Sequence, residues 1–291
     1  MSIYTRQNEK GMLNLLKVQR CLYTKAKVIY LIVLFVSLAV MCSFLIATSF
    51  FSNDILNACS IFFGILITFI LFSVELYVSH LKWLAASVQQ KFDSYVLGID
   101  ESVSIYRHNR LRRIDRETLI KLCSRYENTE VDKIENWYSD YSNLNKETEI
   151  LMCQKENVRW DSSLRKMMLI TIAIVSFIII GLIIFISILS NASILKFFAI
   201  ISWILPVFEV SIIVIKTLIQ DLLRLSNIKT ELDKAESDMS EEDLYIELSE
   251  IQALIFEHRQ KCFLIPNWLY NISRNKKQKE EDAIASNIKN K

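Results

Sequence analysis

Trp137, Tyr138, Tyr141, Trp160, Trp268 and Tyr270 crowd the polar stretches in the second half of the chain, and Arg159, Arg165, Arg259 and Arg274 fall in the same segments. Aromatic rings and guanidinium planes stack on nucleobases, and the guanidinium charge holds phosphate, so this mixture fits a nucleotide-binding surface. Rings that merely pack a helical core are the plainer alternative, and pattern alone leaves both open. The candidate ligand-binding residues are Trp137, Tyr138, Arg159, Trp160, Arg165, Arg259 and Trp268. The run "RHNRLRRIDR", residues 107–116, adds five arginines in ten positions. It reads as a solvated face, a contact for anionic lipid headgroups, or a phosphate site.

Catalytic chemistry has no such foothold. His80, His108 and His258 are too scattered for a metal spacing, no serine or cysteine sits in a nucleophile motif, and no glycine-rich loop could cradle a phosphate. The expectation is therefore a protein that is not an enzyme and has no catalytic residue or metal. The six cysteines form no CxxC pair and suggest no disulfide framework.

A second group of residues is notable for where it lies. Glu209 falls late in an apolar run, three residues after Pro206, and Glu75 falls late in another. A carboxylate at bilayer depth should face protein or water, and a proline inside a helix frees a backbone carbonyl that needs a new partner. Glu75, Pro206 and Glu209 are the candidate pore or gating residues. A helix-bundle contact is the alternative for Glu209, and an interfacial position for Glu75.

The elements that must carry these residues are legible from composition. Hydrophobic types make up 52% of 291 residues, with four Gly, two Pro and a net charge of +2, and the apolar residues come in blocks. A hydrocarbon core about 30 Å thick needs roughly 20 apolar residues of helix. Four blocks reach that length, at 28–51, 55–78, 167–190 and 197–215. Lysines and arginines flank the chain start, the middle and the end of this pattern, while the two short connections carry one lysine between them. The positive-inside rule then puts both termini in the cytoplasm. The expected protein is an all-α, multi-pass membrane protein, made of two transmembrane hairpins and a helical cytoplasmic domain.

The expected divisions are an N-terminal cytoplasmic amphipathic helix (1–27), a first hairpin (28–79) and a cytoplasmic helical insert (80–166). A second hairpin (167–216), a C-terminal cytoplasmic helical region (217–274) and a frayed polar tail (275–291) follow. Ser240 and Asp243 could open a helix as a capping box. Leu244, Leu248, Ile251 and Ile255 then form a stripe that should pack on another helix, and Pro266 ends the pattern.

Several stretches together resemble the SMODS-associating four-transmembrane effector family. They are "RQN" (6–8), "QRCLYTKAK" (19–27), "QQKFDSYVLG" (89–98), "WY" (137–138), "CQKENVRWDSSLR" (153–165), "EIQALIFEHR" (250–259) and "PNWLY" (266–270). They occur in order along the whole chain; the segment "IDESVS" (99–104) departs from the family pattern, which carries a Trp there. The resemblance implies a CBASS-type anti-phage effector in which a functionally linked nucleotidyltransferase makes a cyclic di- or trinucleotide. The effector binds that messenger, with no other cofactor and no nucleic-acid polymer, and assembles or opens a pore in the lipid bilayer, causing abortive infection. The resemblance also implies that the membrane is the bacterial inner membrane. Four spans are too few for a wide pore, so a homo-oligomer is expected, a tetramer as the working number. A membrane-anchored scaffold that recruits a cytoplasmic partner and a constitutive small channel or transporter are the alternative functions.

Overall fold

The computed structural model describes residues 1–51, 54–100, 114–131, 134–189, 193–238 and 241–289. Among these residues every regular element is a helix. They are α1 (Ile3–Arg6), α2 (Lys10–Phe50), α3 (Asp54–Leu97), α4 (Arg116–Tyr126), α5 (Lys146–Leu189), α6 (Ile194–Asp238), α7 (Glu241–Lys261) and α8 (Asn267–Lys289).

Four of these helices are unusually long, and the length has a physical meaning. A helix of 44 residues, such as α3 or α5, extends about 66 Å at 1.5 Å per residue. That is more than twice the hydrocarbon thickness, so each has one apolar and one polar half. In α2, α3 and α5 the apolar half is long enough to cross a membrane and is almost wholly unburied in the folded chain. Phe35, Ile61, Phe69, Phe72, Phe177 and Ile188 all lie exposed there. Water would not tolerate so much apolar surface, so these faces are made for lipid; the chain is a membrane protein. The fourth apolar block, 197–215, forms the first half of α6.

The polar halves meet in one core. Leu15, Leu16 and Leu22 of α2, Val88, Phe92 and Val96 of α3, Ile150 and Val158 of α5, and Leu225 and Leu232 of α6 belong to a single buried cluster. The stripe read from the sequence, Leu244, Leu248, Ile251 and Ile255, joins it from α7. Ser240 and the arginine run from 107 to 113 lie outside the described residues, as does most of "IDESVS". Arg116 of that run opens α4, where Asp115 caps the helix by accepting from Thr118 N–H at 2.7 Å.

Two short motifs prove to be halves of one clamp. The chain turns between α1 and α2, and there the Gln7 side chain accepts from Tyr138 N–H at 2.7 Å and donates to Tyr138 O at 3.0 Å. Asn8 does the same for Asn136, accepting from its N–H at 3.0 Å and donating to its side-chain carbonyl at 2.9 Å. Asn136 has φ 52°, a conformation that asparagine tolerates better than most residues. The helix expected across 1–27 is thus broken at this clamp. At the end of α3, Gly98 has φ +68° and its carbonyl accepts from Tyr245 Oη at 3.2 Å, so glycine both stops the helix and joins it to α7.

The polar tail is a correction to the sequence reading. Residues 275–289 continue α8 without a break, and Glu281 and Ala285 are buried. Arg159 of α5 grips Glu281 with a two-pronged ion pair, Nε at 3.2 Å from each oxygen and Nη2 at 2.5 Å. A tail that looks solvated by composition is held because its carboxylate matches that guanidinium.

Candidate functional site

The polar lobe contains a buried hydrogen-bond network centred on Asp93 of α3, which is fully buried. Its carboxylate pairs with Arg259 Nη1 of α7 and accepts from Tyr138 Oη at 2.7 Å and Gln252 Nε2 at 3.1 Å. Gln252 also donates to Gln90 Oε1 at 3.0 Å, Gln154 donates to Gln252 Oε1 at 3.1 Å, and Asn157 donates to the Tyr138 hydroxyl at 2.8 Å. Burial alone works against the Arg259 charge, but Asp93 and the polar groups around it more than offset this and raise its pKa. Nothing in helical periodicity announces such a network, because it uses polar residues on core faces of α3, α5 and α7.

Beside this network lies a cavity of about 340 Å³, within the range usual for small-molecule sites. Four helices supply most of its wall, α2 from Gln19 to Lys27, α5 from Glu156 to Arg165, α7 from Ile255 to Cys262 and α8 from Asn267 to Gln278, and Gln89 of α3, Leu225 of α6, the 135–138 loop and the α7–α8 connection complete it. Glu156 and Arg165 are nine positions apart on α5, so the cavity follows that helix for about 13 Å. At its middle, Trp160 and Tyr270 place their ring centroids 6.1 Å apart. The Arg20 and Arg274 guanidinium carbons stand 5.7 and 5.9 Å from the Tyr270 centroid, within reach of cation–π attraction.

At the end nearest the apolar segments the cavity wall is fastened by charge. Arg165 of α5 pairs with Asp221 of α6 and with Asp161 at 3.1 Å, and donates to the Phe263 carbonyl at 3.2 Å. Asp221 also pairs with Arg224 and accepts from Phe263 N–H at 2.8 Å. His258, which lines the cavity, bonds through Nε2 to Asp161 at 2.8 Å. Burial pushes the Asp161 carboxyl up, but Arg165 and His258 more than reverse this and hold it well below the usual carboxylate range. One ion network therefore runs from His258 at the cavity to α6. Leu164, Val214, Leu218, Ile265 and Leu269 form a small apolar core beside it, joining the start of the third apolar segment, the end of the fourth and the α7–α8 connection.

The cavity gathers five of the candidate ligand residues, Trp137, Tyr138, Trp160, Arg165 and Arg259. Arg159 is instead committed to Glu281, and Trp268 is 49% exposed and outside the cavity wall. Tyr138 and Arg259 line the space but spend their polar atoms on Asp93, so they position the wall. Missed from the sequence were Gln19, Tyr23 and Lys27, three positions spaced by four along α2, with Glu156 and His258. The spacing within "QRCLYTKAK" is the signal that could have found the α2 face. Three of the lining residues, Gln19, Arg165 and His258, each carry a buried polar atom without a hydrogen-bond partner: Oε1, Nε and Nδ1.

Away from the cavity, Pro206 is buried inside the unbroken α6, while Glu209 and Glu75 are exposed on the surface of the single chain. Among the described residues, no group of His, Cys, Asp and Glu could hold a metal ion.

The sequence matches the family model described as the SMODS-associating 4TM effector domain over residues 1–288. It is also similar to a probable CBASS effector molecule from Bacillus cereus (strain VD146), 25% identical over 300 residues that cover 98% of this chain and 96% of the relative. No solved structure matches.

Proposed function

The chain belongs to the SMODS-associating 4TM effector family, and from that premise we propose that it is the membrane effector of a CBASS-type anti-phage system, activated by a cyclic oligonucleotide bound in the cavity between α2, α5, α7 and α8. The probable CBASS effector from Bacillus cereus, similar from end to end, supports the system. The observation that carries the ligand is the cavity itself, where an indole, a phenol ring and two flanking guanidiniums line one space. Rings supply stacking surfaces for bases and the cations suit the phosphates. A linked nucleotidyltransferase would supply the ligand.

Topologically, the proposal is two hairpins, four spans and a polar lobe on the cytoplasmic side of the bacterial inner membrane, both termini included. The basic residues around the lobe support that orientation.

Gating follows from continuity of the helices. Residues Gln19 to Lys27 belong to the same helix as the first apolar block, and Glu156 to Arg165 to the same helix as the third. A ligand that wedges between them acts directly on the spans, and the Arg165–Asp221 network extends the action to α6. To open the pore the ligand must bind the open arrangement more tightly than the closed one. The exposed Glu209 argues for assembly of several chains. Left facing lipid near mid-bilayer, a carboxylate costs about 2.5–3.5 kcal/mol, whereas a homo-oligomer could turn it to a partner or to a water-filled lumen.

Trp160→Ala tests the ligand site against its nearest alternative. Loss of a stacking partner weakens binding by about 1–3 kcal/mol, or about 5- to 150-fold, so the concentration of cyclic oligonucleotide needed for half-maximal liposome leakage should rise by that factor. Trp268→Ala, outside the cavity, should leave it unchanged. Equal shifts for both variants would remove the cavity from the account.

A further inference from the structure

Three carboxylates line the cavity, and they are not equivalent. Asp161 is committed to Arg165 and His258, and Glu135 is exposed. Glu156 is 3% exposed, and the hydrogen bonds it accepts come from one residue, Ser139. The Ser139 N–H lies 3.3 and 3.1 Å from its two oxygens and Ser139 Oγ lies 3.2 Å away. That hydroxyl also stands 3.3 Å from Asp282 Oδ1 and has one proton to give, so it serves one carboxylate at a time. An ionised carboxylate offers about four lone-pair sites. Glu156 thus keeps acceptor capacity while bordering the cavity.

Its place on α5 says what it would meet. Glu156 and Trp160 are four residues apart and share a face of the helix. A base stacked on the Trp160 and Tyr270 rings therefore presents an edge about one turn along, beside Glu156. A carboxylate accepts and does not donate, so it favours an edge made of donors and disfavours one that brings a carbonyl oxygen or a bare ring nitrogen. Among the nucleobases only guanine sets two donors side by side on its Watson–Crick edge, N1–H and the N2 amino group. Adenine and cytosine set a donor beside an acceptor, and uracil flanks one N–H with two carbonyls.

We propose that Glu156 is the specificity-determining residue of the cavity and selects a guanine-containing cyclic oligonucleotide by accepting from guanine N1–H and N2–H. The proposal rests on the reading of this cavity as the ligand site. Burial raises the Glu156 carboxyl to about 7, with Glu281 adding to the effect, while the Ser139 donors and the Arg159 charge oppose it. Asp282 faces it across Ser139, and Tyr141 and Cys153 lie within its electrostatic reach. Ionised Glu156 accepts from both guanine donors and protonated Glu156 does not, so guanine preference should grow as pH rises through that value.

The test is equilibrium binding to the full-length protein in nanodiscs. The probes are cyclic diguanylate, cyclic diinosylate, which lacks the N2 amino groups, cyclic diadenylate and cyclic triadenylate. Guanine should bind tighter than inosine by about 10- to 150-fold, the scale of one hydrogen bond to a charged group, since inosine keeps N1–H and loses the N2 donor. Glu156→Gln should bring the two close to equal, and the pH dependence of their ratio should flatten. Inosine and guanine bound equally by the unaltered protein, or an adenine-only ligand bound tightest, would overturn the selection by Glu156 and leave the cavity's role intact. Should no probe bind, the cavity's role as a cyclic-oligonucleotide site falls, and this inference with it. The inosine comparison uses unaltered protein and decides the matter even where Glu156→Gln does not fold.

Discussion

Asp93→Ala should cost the polar lobe about 3–5 kcal/mol, the usual penalty for removing one partner of a buried ion pair. Arg259 would keep its charge in a buried position, and Tyr138 and Gln252 would each lose an acceptor. Since whole domains are stable by about 5–15 kcal/mol, the variant should melt far below the parent or fail to accumulate. The paired replacement Asp93→Leu with Arg259→Met removes both charges at once and should recover most of the loss, because buried ion pairs gain little over packed apolar groups. Thermal melting in detergent reads both variants. A single variant that melts within about 1 kcal/mol of the parent would mean that Asp93 is not the hub of the lobe.

Asp221→Asn should separate binding from response. Asp221 is fully buried and holds Arg165, Arg224 and the Phe263 N–H together, so it fastens the cavity wall to α6. It does not line the cavity itself. Neutralising it weakens the fastening while Asp161 continues to hold Arg165. Affinity for the ligand should stay within a few-fold of the parent, and ligand-triggered leakage should fall by at least about tenfold, equivalent to some 1.4 kcal/mol of lost bias toward the open state. Leakage and affinity that fall in parallel would assign Asp221 to the ligand site and not to transmission.

The membrane character of the chain was legible because hydrophobicity over about 20 residues is a strong, local signal. The aromatic half of the cavity was legible too, since Trp137, Trp160 and Tyr270 lie in polar surroundings where a ring stands out. What sequence could not resolve was which face of a helix each residue occupies. Arg159 and Trp160 are neighbours in sequence but stand roughly 100° apart around α5, so Trp160 enters the cavity and Arg159 turns to Glu281 on α8. Glu281 in turn looked like part of a solvated tail, because composition cannot show a charge that has a partner 122 residues away. The α2 wall was hidden for a related reason. Arg20 and Lys27 already had an explanation as basic residues flanking a span, so the four-residue spacing of Gln19, Tyr23 and Lys27 drew no second reading. The Asp93 network, finally, consists of polar residues at positions that periodicity would fill with apolar ones, and only the packed structure shows why each is satisfied.

The central claim is that occupancy of this cavity opens the membrane. Purified protein in dye-loaded liposomes, with cyclic di- and trinucleotides supplied to the face that carries the polar lobe, measures it directly. The account predicts tight bilayers without ligand, rapid leakage with at least one cyclic oligonucleotide, and much weaker leakage in Trp160→Ala at the ligand concentration that is half-maximal for the parent. Leakage that proceeds without ligand, or bilayers that stay tight while a cyclic oligonucleotide is shown to be bound, would contradict it.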